Sequence, residues 1–238
     1  MYHRVFSLFP FESQLLKKHG VNFSYVGHPL AKNLSVDSNE EELKKNLGIP
    51  LDKKVIAILP GSRKSEIYHH SKPLVDFINT YKNQNADVEI ILALNKESDL
   101  SGELKQLSKK ISVIYDSTQK VLASCNIAIV ASGTATLEAA ILAKPMVVIY
   151  KSNKLSNFIL SNFFLKTKFI SLPNILSQEK IVFELRQNQV SGKEISEKVE
   201  LTFKNQEVIA KKLSLIRDSL LVKDSNKFSI ALKEILAK

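Results

Sequence analysis

Residues Ile127 to Glu138 read I-A-I-V-A-S-G-T-A-T-L-E: an apolar run, a glycine turn and a helix opening on Thr134. This strand–turn–helix unit decides the fold. A helix N-terminus presents unpaired backbone N–H groups and the positive end of the helix dipole, so it suits a phosphate. Gly133 lets the backbone approach such a group closely, and Ser132 and Thr134 flank it. Glu138 falls one helical turn further in, where a carboxylate can accept hydrogen bonds from sugar hydroxyls. The plain alternative is an ordinary βα turn with a capping Ser or Thr and a surface Glu.

A second unit of the same kind stands upstream. Val55 to Leu59 (V-I-A-I-L) ends in Pro60-Gly61-Ser62-Arg63, and a helical pattern runs from about Lys64 to Lys82. Arg63 at the mouth of that helix can fork two donors onto a phosphate or diphosphate. Glu66, three residues on, either orients the Arg63 guanidinium or stabilises the first turn of the helix. Two glycine turns after strands, one with Arg and one with Glu, suit a nucleoside diphosphate. Ligands of open α/β sheets bind outside the carboxyl ends of the strands.

Short apolar runs alternate with helical patterns along the chain. The runs are Val5–Phe9, Phe23–Val26, Val55–Leu59, Val88–Leu92, Ile111–Tyr115, Ile127–Val130, Met146–Tyr150 and Phe169–Leu172. Such alternation predicts an α/β fold with a Rossmann-like parallel sheet and helices on both faces. Runs such as V-E-I-I-L and M-V-V-I-Y hardly alternate, as expected for strands covered on both sides. Gly27-His28-Pro29 breaks the pattern, and the stretch to about Ser38 reads as a linker before a short helix, Glu40–Leu47. After about Ser191 the pattern is helical, with apolar positions Val199, Phe203, Ile209, Leu213 and Ile216.

With 238 residues, 44% of them hydrophobic, the chain can bury one or two cores. No apolar run approaches the ~18 residues of a membrane span, and Pro10 and Glu12 interrupt the N-terminal apolar stretch, which does not read as a signal peptide. Cys125 is the only cysteine, so no intrachain disulfide forms; it reads as a small core residue. These features fit a cytoplasmic protein. The net charge is +10, and from Ala139 to Gln178 there is no Asp or Glu but there are five lysines, Lys144, Lys151, Lys154, Lys166 and Lys168. Such a field attracts phosphates or anionic lipid, or is simply a solvated face. No RNP, KH, zinc-finger or helix-turn-helix pattern accompanies it, so nucleic acid is not expected.

Several blocks together resemble the lipid-A-disaccharide synthase family. They are F-P-F-E (Phe9–Glu12), Y-V-G-H-P-L (Tyr25–Leu30), L-P-G-S-R-K-S-E-I (Leu59–Ile67), A-S-G-T-A-T-L-E-A-A (Ala131–Ala140), P-M-V-V-I-Y-K (Pro145–Lys151) and S-L-P-N-I-L (Ser171–Leu176). The resemblance implies an inverting glycosyltransferase of lipid A and lipopolysaccharide biosynthesis with two Rossmann-like halves. It would join UDP-2,3-diacylglucosamine to 2,3-diacylglucosamine 1-phosphate (lipid X), releasing UDP. It implies residues 1–37 as a remnant of the acceptor domain and linker, 38–190 as the UDP-sugar-binding domain, and 191–238 as C-terminal helices. The family's G-E-x-S-G-D stretch does not occur here. About one domain, on the order of 150 residues, is therefore expected to be absent, with much of the acceptor site and the base. Two alternatives stay open: a UDP-binding half without turnover alone, and another two-Rossmann enzyme using UDP-N-acetylglucosamine.

The same resemblance makes Arg63, Glu138 and Asn174 the candidate catalytic residues. Gly61, Ser62, Ser132, Gly133, Thr134, Tyr150, Glu184 and Gln187 would complete the donor site, with no metal and no cofactor. Asn174 offers both donors and an acceptor to a sugar or phosphate, or simply forms a turn. Glu184 and Gln187, in V-F-E-L-R-Q, would reach the pocket from a helix or lie on the surface. Tyr150 ends a strand and could pack on the sugar or uracil. His28 reads as a hydrogen-bonded hinge residue rather than a proton shuttle. His69 and His70 point ~100° apart on a helix, a poor metal pair. Leu155, Phe158, Ile159, Leu160, Phe163, Phe164 and Leu165 cover more than half of a helical wheel. That helix is either buried or lies beside Lys166 and Lys168 against the anionic cytoplasmic face of the inner membrane. A homodimer stays open as a further partner.

Overall fold

The computed structural model describes residues 4–34, 39–97, 100, 102–109, 111–115, 117–152 and 168–221. In order they form β1 (Val5–Ser7), α1 (Pro10–Lys18), β2 (Phe23–Tyr25), α2 (Pro29–Asn33), α3 (Glu40–Asn46), β3 (Lys54–Leu59), α4 (Lys64–Gln84), β4 (Val88–Leu94), α5 (Gly102–Leu107) and β5 (Ser112–Tyr115). There follow α6 (Thr118–Ser124), β6 (Ile127–Ala131), α7 (Thr134–Ile141), β7 (Met146–Tyr150), α8 (Leu172–Ser177), β8 (Phe183–Arg186), α9 (Gly192–Lys204) and α10 (Gln206–Leu220).

β3 shows why the sheet is parallel and double-faced. Every residue from Val55 to Leu59 is buried. Val55, Ala57 and Leu59 point into one core with α6, α7 and α10 residues such as Leu122, Leu137 and Leu213. Ile56 and Ile58 point into the other, with Phe77 of α4 and Val199 of α9. A strand with both pleat faces covered has no use for polar alternation. Burying each such aliphatic side chain contributes about 1.5–3 kcal/mol.

Six strands form one all-parallel sheet in the order β5-β4-β3-β6-β7-β8, and β1 pairs with β2 in a separate two-stranded sheet. The chain winds outward from β3 through β4 to β5, then returns to lay β6 against the other side of β3. The winding direction therefore reverses between β3 and β6. At such a switch point the connections leave in opposite directions and open a crevice at the strand carboxyl ends. The α/β, Rossmann-like parallel sheet expected from the sequence is present.

Two elements differ from the sequence reading. Phe169–Leu172 is not a strand: Ile170 and Ser171 lie in a buried loop leading into α8, whose second residue is Pro173. Proline is favoured in a first helical turn, where its missing N–H has no partner to lose. Conversely, Phe183–Arg186, read as helical, is the edge strand β8, in register with β7 through Val148↔Glu184 and Tyr150↔Arg186. Glu184 therefore stands on a strand and Gln187 in a short 3-10 turn. The presumed linker holds α2, whose N-cap is His28; its Nδ1 accepts from the Leu30 N–H at 3.2 Å.

The C-terminal helices pack back on the six-stranded unit, with Val199 of α9 and Leu213 of α10 fully buried. The end of α10 also holds the hinge: Tyr25 Oη donates to the Ser219 carbonyl at 2.8 Å, and the His28 N–H donates to the Leu220 carbonyl at 3.1 Å.

Candidate functional site

Both glycine turns open into the crevice between β3 and β6. It is a cleft of about 400 Å³ lined by Gly61, Ser62, Arg63 and Glu66 on one side and Ser132, Gly133, Thr134 and Glu138 on the other. That size lies within the range of small-molecule sites. The expected residues Gly61, Ser62, Arg63, Ser132, Gly133, Thr134 and Glu138 thus meet in one place. Asn95 and Thr118 also line it. Asn95 directly follows the apolar run that becomes β4, so the rule that ligands sit at strand carboxyl ends marks its position in the sequence.

The Pro60–Arg63 turn is closed by Glu66. One carboxylate oxygen accepts from the Ser62 and Arg63 N–H groups at 3.1 and 3.3 Å, and the other from Arg63 Nη1 at 3.2 Å. Both readings of Glu66 hold together: it caps the first turn of α4 and orients Arg63. The Arg63 side chain itself is 80% exposed, with donors left for an incoming anion. At the other turn, no side chain among the described residues caps α7. The Ser132 N–H is tied to the Ile149 carbonyl at 2.9 Å, and Thr136 folds its hydroxyl back to the Gly133 carbonyl at 2.7 Å. Glu138 meets Gln119, whose Nε2 donates to it at 3.1 Å.

Asn174, Glu184, Tyr150 and Gln187 are not among the residues lining this cleft. Asn174 is fully buried. Its Nδ2 donates to the Val182 carbonyl at 3.0 Å and to Glu184 Oε1 at 2.9 Å, while its Oδ1 accepts from the Ile181 and Val182 N–H groups at 2.8 and 3.0 Å. Both donors and both lone pairs are engaged within the protein.

Glu184, with a side chain 5% exposed, accepts from the Ile170 and Ser171 N–H groups, the Ser171 hydroxyl, Asn174 Nδ2 and Arg186 Nη2. Burial by itself raises its carboxyl pKa; the hydrogen bonds from Arg186, Ser171 and Ile170 outweigh that and hold the group below the usual carboxylate range. The network reaches the cleft through one peptide unit, because Ser132 Oγ donates to the Ile170 carbonyl at 2.9 Å. Asn174 and Glu184 therefore brace the Ser132 turn from behind.

Gln187 grips Ser152 instead, accepting from its N–H at 3.3 Å and donating to its hydroxyl at 3.1 Å. Tyr150, half-buried at the end of β7, pairs in register with Arg186.

Of the basic stretch, Lys144 is largely buried in an ion pair with Glu40 at 3.3 Å, so it is no part of an open positive field. Lys168 lies over the Phe169 ring at 5.1 Å. Lys154, Lys166 and the helix expected over Leu155–Leu165 lie outside the described residues. Cys125 is fully buried, and burial pushes its thiol up to about 11, as suits an inert core residue. Among the described residues no helix is long and apolar enough to cross a membrane.

The parallel sheet, its switch-point crevice and the two glycine turns define a Rossmann-like α/β protein. Solved structures of similar fold bear this out. The C-terminal domain of a glycosyl transferase group 1 family protein from Francisella tularensis has a TM-score of 0.55 at 14% identity, covering 80% of this chain and 95% of that one. UDP-GlcNAc 2-epimerase from Neisseria meningitidis has a TM-score of 0.60 at 13% identity, covering 94% and 59%.

The chain belongs to the lipid-A-disaccharide synthase family, whose profile, described as lipid-A-disaccharide synthetase, matches residues 1–237. The lipid-A-disaccharide synthase of Colwellia psychrerythraea is 36% identical over 200 residues, covering 80% of this chain and 50% of that protein. That of Acinetobacter baylyi is 33% identical over 215 residues, covering 85% and 54%. The chain spans about half the length of these relatives.

Proposed function

We propose that this chain carries the donor site of a lipid-A-disaccharide synthase and that the β3–β6 cleft takes the diphosphate of UDP-2,3-diacylglucosamine. The carrying observation is the meeting of Arg63 with the uncapped N-terminus of α7 across one cleft. Arg63 forks onto the diphosphate, and the amides at Gly133 and Thr134 face it from the other side. Glu138 accepts from a hydroxyl of the ribose or the sugar. Glu66, Asn174 and Glu184 hold these groups in place without touching the ligand.

The acceptor is 2,3-diacylglucosamine 1-phosphate. Its 6-hydroxyl oxygen attacks the anomeric carbon from the face opposite UDP. The new carbon–oxygen bond forms as the bond to the diphosphate breaks, the hydroxyl proton passes to a base, and UDP departs. Negative charge grows on the departing diphosphate, where Arg63 and the α7 amides stabilise it more strongly than in the ground state. Both substrates carry acyl chains, which supports a reaction at a membrane surface, here the cytoplasmic face of the inner membrane.

Calorimetry with UDP in metal-free buffer tests the site. The parent chain binds, and Arg63→Ala and Glu138→Ala each weaken binding by about 1.5–3 kcal/mol, the scale of a hydrogen bond to a charged group. Unchanged affinity in both variants overturns the assignment.

A further inference from the structure

His70 is 1% exposed and lies on α4, outside the cleft lining. Its Nδ1 stands 2.7 Å from the Pro60 carbonyl oxygen, and its Nε2 stands 3.0 Å from the Lys151 N–H. A carbonyl can only accept and a backbone N–H can only donate. The two contacts together therefore fix one species: the neutral ring with its proton on Nδ1.

The position of the two anchors matters more than their number. Pro60 is the first residue after β3 and opens the Gly61–Arg63 turn; Lys151 is the first residue after β7. In the sheet these strands are not neighbours, because β6 lies between them. One imidazole therefore joins the two strand ends that flank β6, the strand whose own end carries Ser132, Gly133 and Thr134. The residue after Lys151 is itself held, by Gln187. The Pro60 end carries Arg63, and the Lys151 end borders the Ser132 turn, since the Ser132 N–H donates to the Ile149 carbonyl of β7 at 2.9 Å.

We propose that His70 is a positioning residue of the donor site: its neutral imidazole fixes the β3 and β7 ends across β6, and so sets how the Arg63 turn faces the Ser132–Thr134 turn. This rests on the reading of the cleft as a diphosphate site. The positioning is proton-sensitive. A proton on Nε2 turns the acceptor for Lys151 into a donor, so N–H faces N–H and that side of the bridge opens.

Among the described residues, the charged and titratable groups acting on the ring are Glu66 one turn earlier on α4, His69 beside it, and Lys151 just after β7. Burial lowers the pKa of His70; the Pro60 carbonyl and Glu66 oppose this, while His69 and Lys151 act with it, and the net direction is down. The bridge is thus intact at neutral pH. It opens as pH falls below the ordinary imidazole range of about 6.5.

The test uses the whole 238-residue chain, with UDP as probe, calorimetry from about pH 7.5 to about pH 5.5, and thermal melts to establish folding. His70→Leu, which fills the space and makes neither contact, is expected to lose about tenfold in UDP affinity at neutral pH, the size of one unmade buried hydrogen bond. His70→Gln, whose carbonyl can still accept from Lys151, recovers part of that loss. Acidification weakens the parent several-fold more than it weakens either variant; UDP ionises equally in all three, so the excess belongs to His70. Folded variants that match the parent in affinity and in pH profile overturn the proposal. If His70→Leu does not fold, His70→Gln and the parent profile still decide. Arg63→Ala measured alongside separates the two readings. Loss there with none in the His70 variants removes only the His70 role, whereas no UDP binding by the parent removes both.

Discussion

The two glycine turns look alike in sequence and are built differently. At the end of β3, Gly61 has φ +129°, and a Cβ placed there would meet Cβ and Oε2 of Glu66, both at 2.8 Å. The turn is folded tightly around that carboxylate, which already occupies the Ser62 and Arg63 N–H groups. At the end of β6, Gly133 has φ 161°, an extended backbone open to any residue, and nothing lies within 4 Å of a Cβ built on it. The first glycine is required by the fold. The second leaves space and an uncapped helix end, and that space has a use only when something enters the cleft. One wall thus presents an arginine side chain on a self-satisfied loop, and the other presents an uncapped helix N-terminus with Glu138 one turn further in.

The contrast breaks most visibly at Gly61. Gly61→Ala forces an L-residue into a left-handed backbone and drives a methyl into Glu66. It is expected to lower stability by about 2–3 kcal/mol, read in urea unfolding. A loss near zero would mean that the turn adapts freely and that the two glycines are equivalent after all.

Gly133→Ala should do the reverse. Stability stays within about 0.5 kcal/mol of the parent, while UDP affinity falls about tenfold, because the methyl stands where a phosphate would approach the α7 amides. Melting and calorimetry on the same sample separate the two effects. Equal UDP affinity in this variant would make the open turn an ordinary βα connection.

The smallest effect belongs to Glu66. Glu66→Ala removes the cap from α4 and costs about 1 kcal/mol of stability, the usual scale for an N-terminal cap. Its ion pair with the exposed Arg63 adds little to that in water. Unchanged melting would show that solvent replaces the carboxylate at no cost, leaving Gly61 alone to distinguish the turns.

Much of this was legible beforehand because it is local. The buried runs V-I-A-I-L and M-V-V-I-Y announce double-faced parallel strands, and the β6 and α7 unit follows from the apolar run I-A-I-V, the S-G-T turn and the helix start at Thr134 together. The errors lie where a short run is ambiguous. F-E-L-R carries too few residues to distinguish strand from helix, and only pairing with β7 makes it β8. The S-L-P-N block, expected from the family resemblance to contribute Asn174 to the site, instead holds Asn174 buried behind the cleft. An amide that can bind a sugar can equally satisfy four backbone and side-chain partners, and the sequence does not say which are near.

By itself the sequence determined the α/β alternation, both glycine turns, and the residues Arg63 and Glu138 beside them, because strand burial, turn chemistry and helix starts are encoded within a few neighbouring residues. Only the tertiary structure decided that β6 returns to the free side of β3, that the two turns share one crevice, and that His70 joins strand ends on either side of it. Strand order and the partners of a buried polar group depend on contacts between residues far apart in the chain. Those contacts are selected by packing and by the need to pair every buried donor and acceptor, and no local pattern carries them.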